Sequence, residues 1–401
     1  MAVTMKAHRS IIEFLALKKN VVALLAMVIL VGMGEKMAER FLPVYLIALG
    51  GGVLSVGFLN GLDNLLGALY AFPGGYLSER IGYKRALLFF NLVAMVGFLV
   101  VILVPKWYAV IAGAVLFLSW SAISLPASMD LISKTLPLTK RTMGVTMHSL
   151  VRRIPMALGP VVGGAFIQAF GIVKGIRLAF VAALVLAAVA LFMQQALVEE
   201  EKEEARALAG EKSPVKMLRL MSPFLRRLLM SDIMIRFCEQ IPYAFVVLWC
   251  LQEAKVTPVQ FGLLTAVEMV TAMLIYIPVA YLADRTTKKP FVVITFFFFT
   301  FFPFVLLFCR SFETLILAFI LRGLKEFGEP ARKALILDLS PEDRKAGMFG
   351  TYYLVRDVVV SAAAFGGAFL WKISPATNFV TAFGFGVMGT LLFSFSARDL
   401  D

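Results

Sequence analysis

Charge is scarce in this chain of 401 residues: Asp, Glu, Lys and Arg make up 16% of it, while 60% is hydrophobic. A soluble domain of this length carries about a quarter charged residues, so an ordinary solvated surface is excluded. Histidine is rarer still, with only His8 and His148. They leave no histidine-based metal cluster, and no nucleophile–base–orienter set stands out, so neither an enzyme nor a metal or other cofactor is expected. The three cysteines, Cys238, Cys250 and Cys309, lie in or beside apolar runs without CxxC spacing and read as small buried hydrophobes. No Gly-x-x-x-x-Gly-Lys-Ser/Thr loop is present, which disfavours an ATP-driven pump. No signal peptide with a cleavage site is expected in Met1–Asn20. The net charge of +13, in a chain this apolar, points to membrane topology and anionic lipid at the cytoplasmic face; nucleic acid is not an expected partner.

What is present in quantity is apolar runs of about 20 residues, the length that crosses roughly 30 Å of hydrocarbon. Twelve spans are expected, near 21–49, 53–77, 86–104, 108–132, 144–170, 177–196, 226–250, 260–282, 290–309, 313–337, 347–371 and 378–396. Most links are short, so neighbours run antiparallel. One link is long and polar, 197–223, with the run Glu199–Glu204 expected as the solvated face of a linker helix. It divides the chain into a bundle over 1–196 and a second over 224–401. Outside the spans, Lys and Arg concentrate on the side that holds both termini. The opposite loops carry only Lys106, Lys174, Arg177, Lys255, Arg310 and Lys372. This bias puts both termini in the cytoplasm.

The two halves repeat at an offset near 204. Glu35 maps to Glu239, Leu77–Arg80 to Leu282–Arg285, Pro126 to Pro330, Leu150–Arg153 to Leu354–Asp357, and Gly163–Phe166 to Gly366–Phe369. An even number of spans per half inserts both in the same sense, giving parallel repeats with a site at the midplane between them.

Here the sequence resembles the major facilitator superfamily. Gly75-Tyr76-Leu77-Ser78-Glu79-Arg80-Ile81-Gly82-Tyr83-Lys84-Arg85 is similar to that family's signature between helices 2 and 3, with Glu79 in place of Asp and Tyr83 in place of a basic residue. The second half keeps Asp284-Arg285. Gly159-Pro160-Val161-Val162-Gly163-Gly164 partly resembles the span-5 signature of the family's drug/proton antiporters. The resemblance implies an all-α membrane fold of two six-helix bundles. It implies a secondary transporter that moves a small-molecule solute in the cytoplasmic (inner) membrane by alternating access, as a monomer. It further implies that the loop signature is a conformational gate, Glu79 meeting the start of span 11 near Gly347–Gly350. The span-5 signature leans the reading to proton-coupled export; uptake of an organic anion, or a non-transporting receptor or assembly factor on the same fold, stays open.

Charged residues inside the spans supply the candidate site. Glu35, Arg152, Glu239, Lys325, Glu326 and Arg356 are the deepest, and each would cost about 2.5–3.5 kcal/mol if left facing lipid. Glu35 and Glu239 hold equivalent places in the two halves, and with Glu39 and Glu326 they are the candidates for carrying protons. Arg152 and Arg356, also repeat-related, are the candidates for holding a solute anion, because guanidinium stays charged and offers a planar fork. Lys325, Arg40, Arg236 and Glu268 are further solute-site candidates. Helical spacing puts Asp232, Arg236 and Glu239 on one face of span 7, and Arg322, Glu326 and Glu329 on one face of span 10, where Lys325 stands i, i+4 to Glu329.

Overall fold

The computed structural model describes residues 19–118, 150–197, 214–283, 286–341 and 345–396, and side chains for most of these but not for 71–80. Every element among them is helical. The spans are Lys19–Glu39 with Leu42–Ala48 (span 1), Gly52–Ile81 (2), Tyr83–Leu103 (3), Trp107–Leu118 as the described part of 4, Arg153–Phe170 (5) and Ile172–Leu197 (6). A short helix, Pro214–Leu220, precedes Pro223–Tyr243 with Val246–Leu248 and the wider turn Trp249–Glu253 (7). Then come Pro258–Ala283 (8), Lys289–Leu306 (9), Phe312–Leu324 with Glu329–Asp338 (10), Lys345–Ile373 (11) and Pro375–Ser396 (12). The acidic run 199–204 lies outside the described residues.

Eight of these helices are long and apolar enough to cross a membrane, and nine if the two parts of span 7, bent by 40°, count as one. Spans 1 and 10 are each interrupted, and the two pieces of span 10, 13 and 10 residues, are each too short to cross alone. This corrects the continuous helices expected over 21–49 and 313–337. Each interruption has a proline beside it. Pro43 opens the second piece of span 1, Pro330 that of span 10, and Pro242 sits in the last turn before the break in span 7. Proline has no N–H to donate and its ring crowds the preceding turn, so it starts helices more readily than it continues them. The first pieces of spans 1 and 7 end at Glu39 and Tyr243, positions that the 204-residue offset makes equivalent.

Spans 1–6 and 7–12 form the two bundles. Within the first, Phe98, Phe117 and Phe180 from spans 3, 4 and 6 stack at 5.5–5.8 Å. Within the second, span 7 packs along spans 11 and 12, and span 8 along span 10. The bundles meet along two lines, span 5 against span 8 and span 2 against span 11. Both depend on missing side chains. A Cβ on Gly164 would overlap the Pro258 backbone, one on Gly262 the Pro160–Val161 backbone, and one on Gly57 the Ala368 side chain. These contacts close the end of the molecule away from the termini. The span-5 signature divides its work: Gly159 and Gly163 sit on the Lys36–Met37 backbone of span 1, while Gly164 sits on span 8 of the other bundle, and the Pro160 carbonyl backs Gly262.

Gly163→Leu would force a side chain into the Met37 carbonyl. Overpacking of this kind costs about 1–3 kcal/mol, so the purified variant should melt several degrees lower. Gly366→Ala, where added volume meets nothing within 4 Å, should melt within a degree of the parent.

Candidate solute site between the bundles

The breaks in spans 1, 7 and 10 put charged side chains at the middle of the molecule. Arg236 on span 7 donates to Oε2 of Glu239 at 2.5 Å, and Lys325 of span 10 donates to Oε1 at 2.7 Å. Lys325 also lies 3.5 Å from Oε1 of Glu268 on span 8, and the Nε of Arg322 lies 3.3 Å from that same oxygen. Arg322 is seated among three rings, Phe302 at 5.0 Å and Phe319 and Tyr243 at 5.6 Å. Arg40, arriving from span 1 of the other bundle, stands 5.0 Å from the same Tyr243 ring. Lys36 of span 1 donates to Glu35 at 3.1 Å and to Glu39.

Arg40 and Arg322 line one cavity together with Glu39, Asp63, Asn60 and Tyr243; its remaining walls are apolar, including Pro43, Val56, Leu59, Val247 and Phe261. The cavity measures about 50 Å³. That holds a few waters, since one needs about 10–15 Å³. A solute site needs roughly 300–1,000 Å³, so the bundles must part before a solute enters. Asn60 and Asn64 of span 2 close the cavity on one side by donating to the carbonyl and side-chain oxygen of Gln240 at 3.0 and 3.2 Å.

Two further charge groups lie towards the termini. Asp232, 1% exposed, accepts from Arg332, from Tyr352 at 3.1 Å and from Arg356 at 3.4 Å. Arg332 also grips Glu329 with two bonds, at 3.0 and 2.7 Å. Arg153 of span 5 donates to Glu326 of span 10 at 2.9 Å, an ion pair between bundles, and lies over the Tyr276 ring at 5.3 Å.

The structure therefore gathers Glu35, Glu39, Arg40, Arg236, Glu239, Glu268 and Lys325 near the centre and leaves other candidates elsewhere. Arg356 is engaged by Asp232 and by Asp357 at 2.7 Å, and its guanidinium lies 4.2 Å from the Tyr353 ring. The repeat does not extend to its equivalent: among the described residues Arg152 makes no such pair, and its neighbour Arg153 makes the contact to Glu326. The shared face expected on span 10 does not form. The helix stops at Leu324, so Lys325 turns to Glu239 and Glu326 to Arg153, and Glu329 restarts the chain beside Arg332. On span 7, Arg236 does pair with Glu239, but Asp232 turns to span 10. Sequence spacing also passed over Asn60, Tyr243 and Arg332, since each acts across helices, and over Lys36, which ties Glu35 to Glu39 within span 1. Gly82 joins spans 2 and 3 with φ +83°, which favours glycine. Lys84 and Arg85 follow at the start of span 3, and Lys84 donates to the Gln195 carbonyl at 3.1 Å. Gly75, Glu79 and Arg80 lie in span 2 with their side chains outside the described set, and Asp284 and Arg285 lie outside the described residues altogether. The expected contact of Glu79 with span 11 falls there too.

The sequence pattern of the Major Facilitator Superfamily matches residues 24–247 and 228–399. The chain belongs to the major facilitator superfamily. It is similar to an MFS-type transporter of Methanocaldococcus jannaschii, 24% identical over 391 residues that cover 94% of this chain and 95% of the relative. Among solved structures it resembles a POT family transporter in complex with a thioalcohol-conjugated peptide (TM-score 0.79, 11% identity, 94% of this chain and 96% of that one). It also resembles an inward-facing bacterial homolog of the human lysosomal transporter Spinster (0.71, 12%, 94% and 96%). A third is the human organic anion transporter MFSD10 (0.67, 16%, 94% and 99%). Membership makes the protein a multi-pass membrane transporter working by alternating access.

Removing one partner of a buried pair costs about 3–5 kcal/mol. Arg332→Met, which strands Asp232 and Glu329, should therefore lower the melting temperature sharply. Arg310→Met should barely move it, because its pair with Glu253 at 3.1 Å is exposed and such pairs are worth about 0–1 kcal/mol.

Proposed function

We propose that the protein is a proton-coupled secondary carrier for a small organic anion held between Arg40 and Arg322. The observation that supports this is Arg40, a guanidinium on the cavity wall whose described partner is the Tyr243 ring and not a carboxylate. Two guanidinium groups facing one ring from opposite bundles repel each other, and an anion between them relieves that repulsion with charge-assisted hydrogen bonds. Because Arg40 belongs to the first bundle and Arg322 to the second, the same anion would draw the bundles together and favour the occluded state.

Protons enter the reading through Glu35, Glu39, Glu239 and Glu326. Each is paired with a cation, so neutralising one releases a lysine or arginine to find another partner. That exchange is a means of linking proton binding to a rearrangement of the site. In this reading the carrier works as a monomer, both termini face the cytoplasm, and the basic cytoplasmic face lies against anionic lipid. Arg152 is a reserve cation for a larger solute.

Export of an amphipathic solute is the second reading. It is favoured by the apolar cavity wall, by Glu39 and Asp63 within it, and by Gly159–Gly164.

Charge movement in proteoliposomes on a capacitive membrane separates the two. With benzoate and inorganic phosphate in a panel of anionic, neutral and cationic solutes, an anion should evoke a current that Arg40→Gln reduces at least tenfold. Glu239→Gln should remove the dependence of that current on a pH gradient. A response to cationic amphiphiles that survives Arg40→Gln would instead support the export reading.

A further inference from the structure

Glu268 differs from the other paired carboxylates near the centre. It is 1% exposed, and among the described residues neither of its oxygens accepts a hydrogen bond. Arg322 and Lys325 stand 3.3 and 3.5 Å from a single oxygen, whereas Glu239 is bonded at both oxygens, at 2.5 and 2.7 Å. Buried carboxylates are normally hydrogen-bonded, because losing water without replacement is costly. Glu268 is thus close enough to cancel charge but is not locked.

Its neighbours do not need it for their positions. Arg322 is seated by the Phe302, Phe319 and Tyr243 rings, and Lys325 is bonded to Glu239. Gly323 rests against the Glu268 carbonyl and Thr271, so spans 8 and 10 touch at their backbones there. Glu268 is therefore tethered beside Arg322 within one bundle, in every state in which that bundle moves as a body. Arg40 comes from the other bundle and lines the cavity that Arg322 also lines.

We infer that Glu268 is a tethered stand-in for the anionic end of the solute, occupying Arg322 until the solute displaces it. The inference rests on the organic-anion reading and adds the residue that competes with the anion. The charged groups around Glu268 are Arg322 and Lys325 from span 10, Glu239 from span 7 and Arg40 from span 1. Three are cations, and a solute carboxylate placed between Arg40 and Arg322 would take one of them from Glu268. Glu268 then keeps Lys325 or binds a proton. The proton cancels the charge that the anion brings, so anion entry and proton uptake are linked through the vacated contact. Glu268 accordingly sets a threshold on anion affinity, and a solute must offer a better-directed acceptor than a carboxylate held at 3.3 Å.

The test is binding of radiolabelled benzoate to purified full-length protein by equilibrium dialysis at several pH values, with inorganic phosphate as a second probe. Glu268→Gln should bind benzoate at least tenfold more tightly than the parent. The parent's affinity should rise as pH falls, while that of Glu268→Gln should change much less. Removing a buried carboxylate leaves an excess of positive charge at the site, so a second variant, Glu268→Gln with Lys325→Met, removes one charge of each sign; it should also bind more tightly. If either folded variant binds benzoate as weakly as the parent, or more weakly, the stand-in role is overturned. If neither probe binds the parent or the variants, or if Arg40→Gln binds benzoate like the parent, the organic-anion reading itself falls.

Discussion

Lys325 stands between two carboxylates, bonded to Glu239 and close to Glu268, and the centre of the molecule is arranged around that sharing. A charge taken out of water needs a countercharge and hydrogen bonds, or it costs several kcal/mol. Spans 7, 8 and 10 therefore cannot slide freely past one another without exchanging partners. Arg236 and Arg322 extend the same constraint, one by bonding the other oxygen of Glu239 and the other by facing Glu268. Movement at this site comes as a choice between discrete pairings, which suits a carrier that must occupy distinct states.

The two bundles divide the charge unequally. In the second, Asp232, Glu329, Arg332, Arg356 and Tyr352 form a closed set with most of its donors committed. This ties span 10 to spans 7 and 11 towards the termini, below the break at Lys325–Gly328. Above that break Arg322 lines the cavity. One span thus holds a fixed portion and a site portion. Span 1 follows the same plan on the other side, with Lys36 tied to Glu35 and Glu39 before the break and Arg40 offered to the cavity after it. Close backbone contacts at Gly57, Gly164 and Gly262 hold the far end shut in this state. Opening that end has to undo this small-residue packing together with two edge-on ring contacts between bundles, Phe58 with Phe365 and Phe41 with Phe261.

Much was legible from sequence. Apolar length, the basic bias and the 204-residue repeat gave the bundle count and the pairing of Glu35 with Glu239, because hydrocarbon thickness and charge cost act on each segment locally. Glu239 and Lys325 stood out for the same reason, as ionisable residues inside apolar runs. Partners were not legible. Span 10 read as one helix with a continuous charged face, yet its break sends Lys325, Glu326 and Glu329 in three directions. Arg152 and Arg356 looked equivalent, yet Arg356 is committed to Asp232 and Asp357. Nothing in the spacing marked Tyr243 or Arg332.

By itself the sequence determined that this is a helical membrane protein of two repeated halves with charge buried near its middle. Those properties follow from the free energy of placing each side chain in water or in hydrocarbon, which depends on residue type and near neighbours. Only the tertiary structure decided which charges are spent on one another and which, like Arg40, face a ring and the cavity instead. Ion pairs form across a few ångströms of space between residues as far apart as Arg153 and Glu326. Their energy depends on distance and burial that no single helix carries.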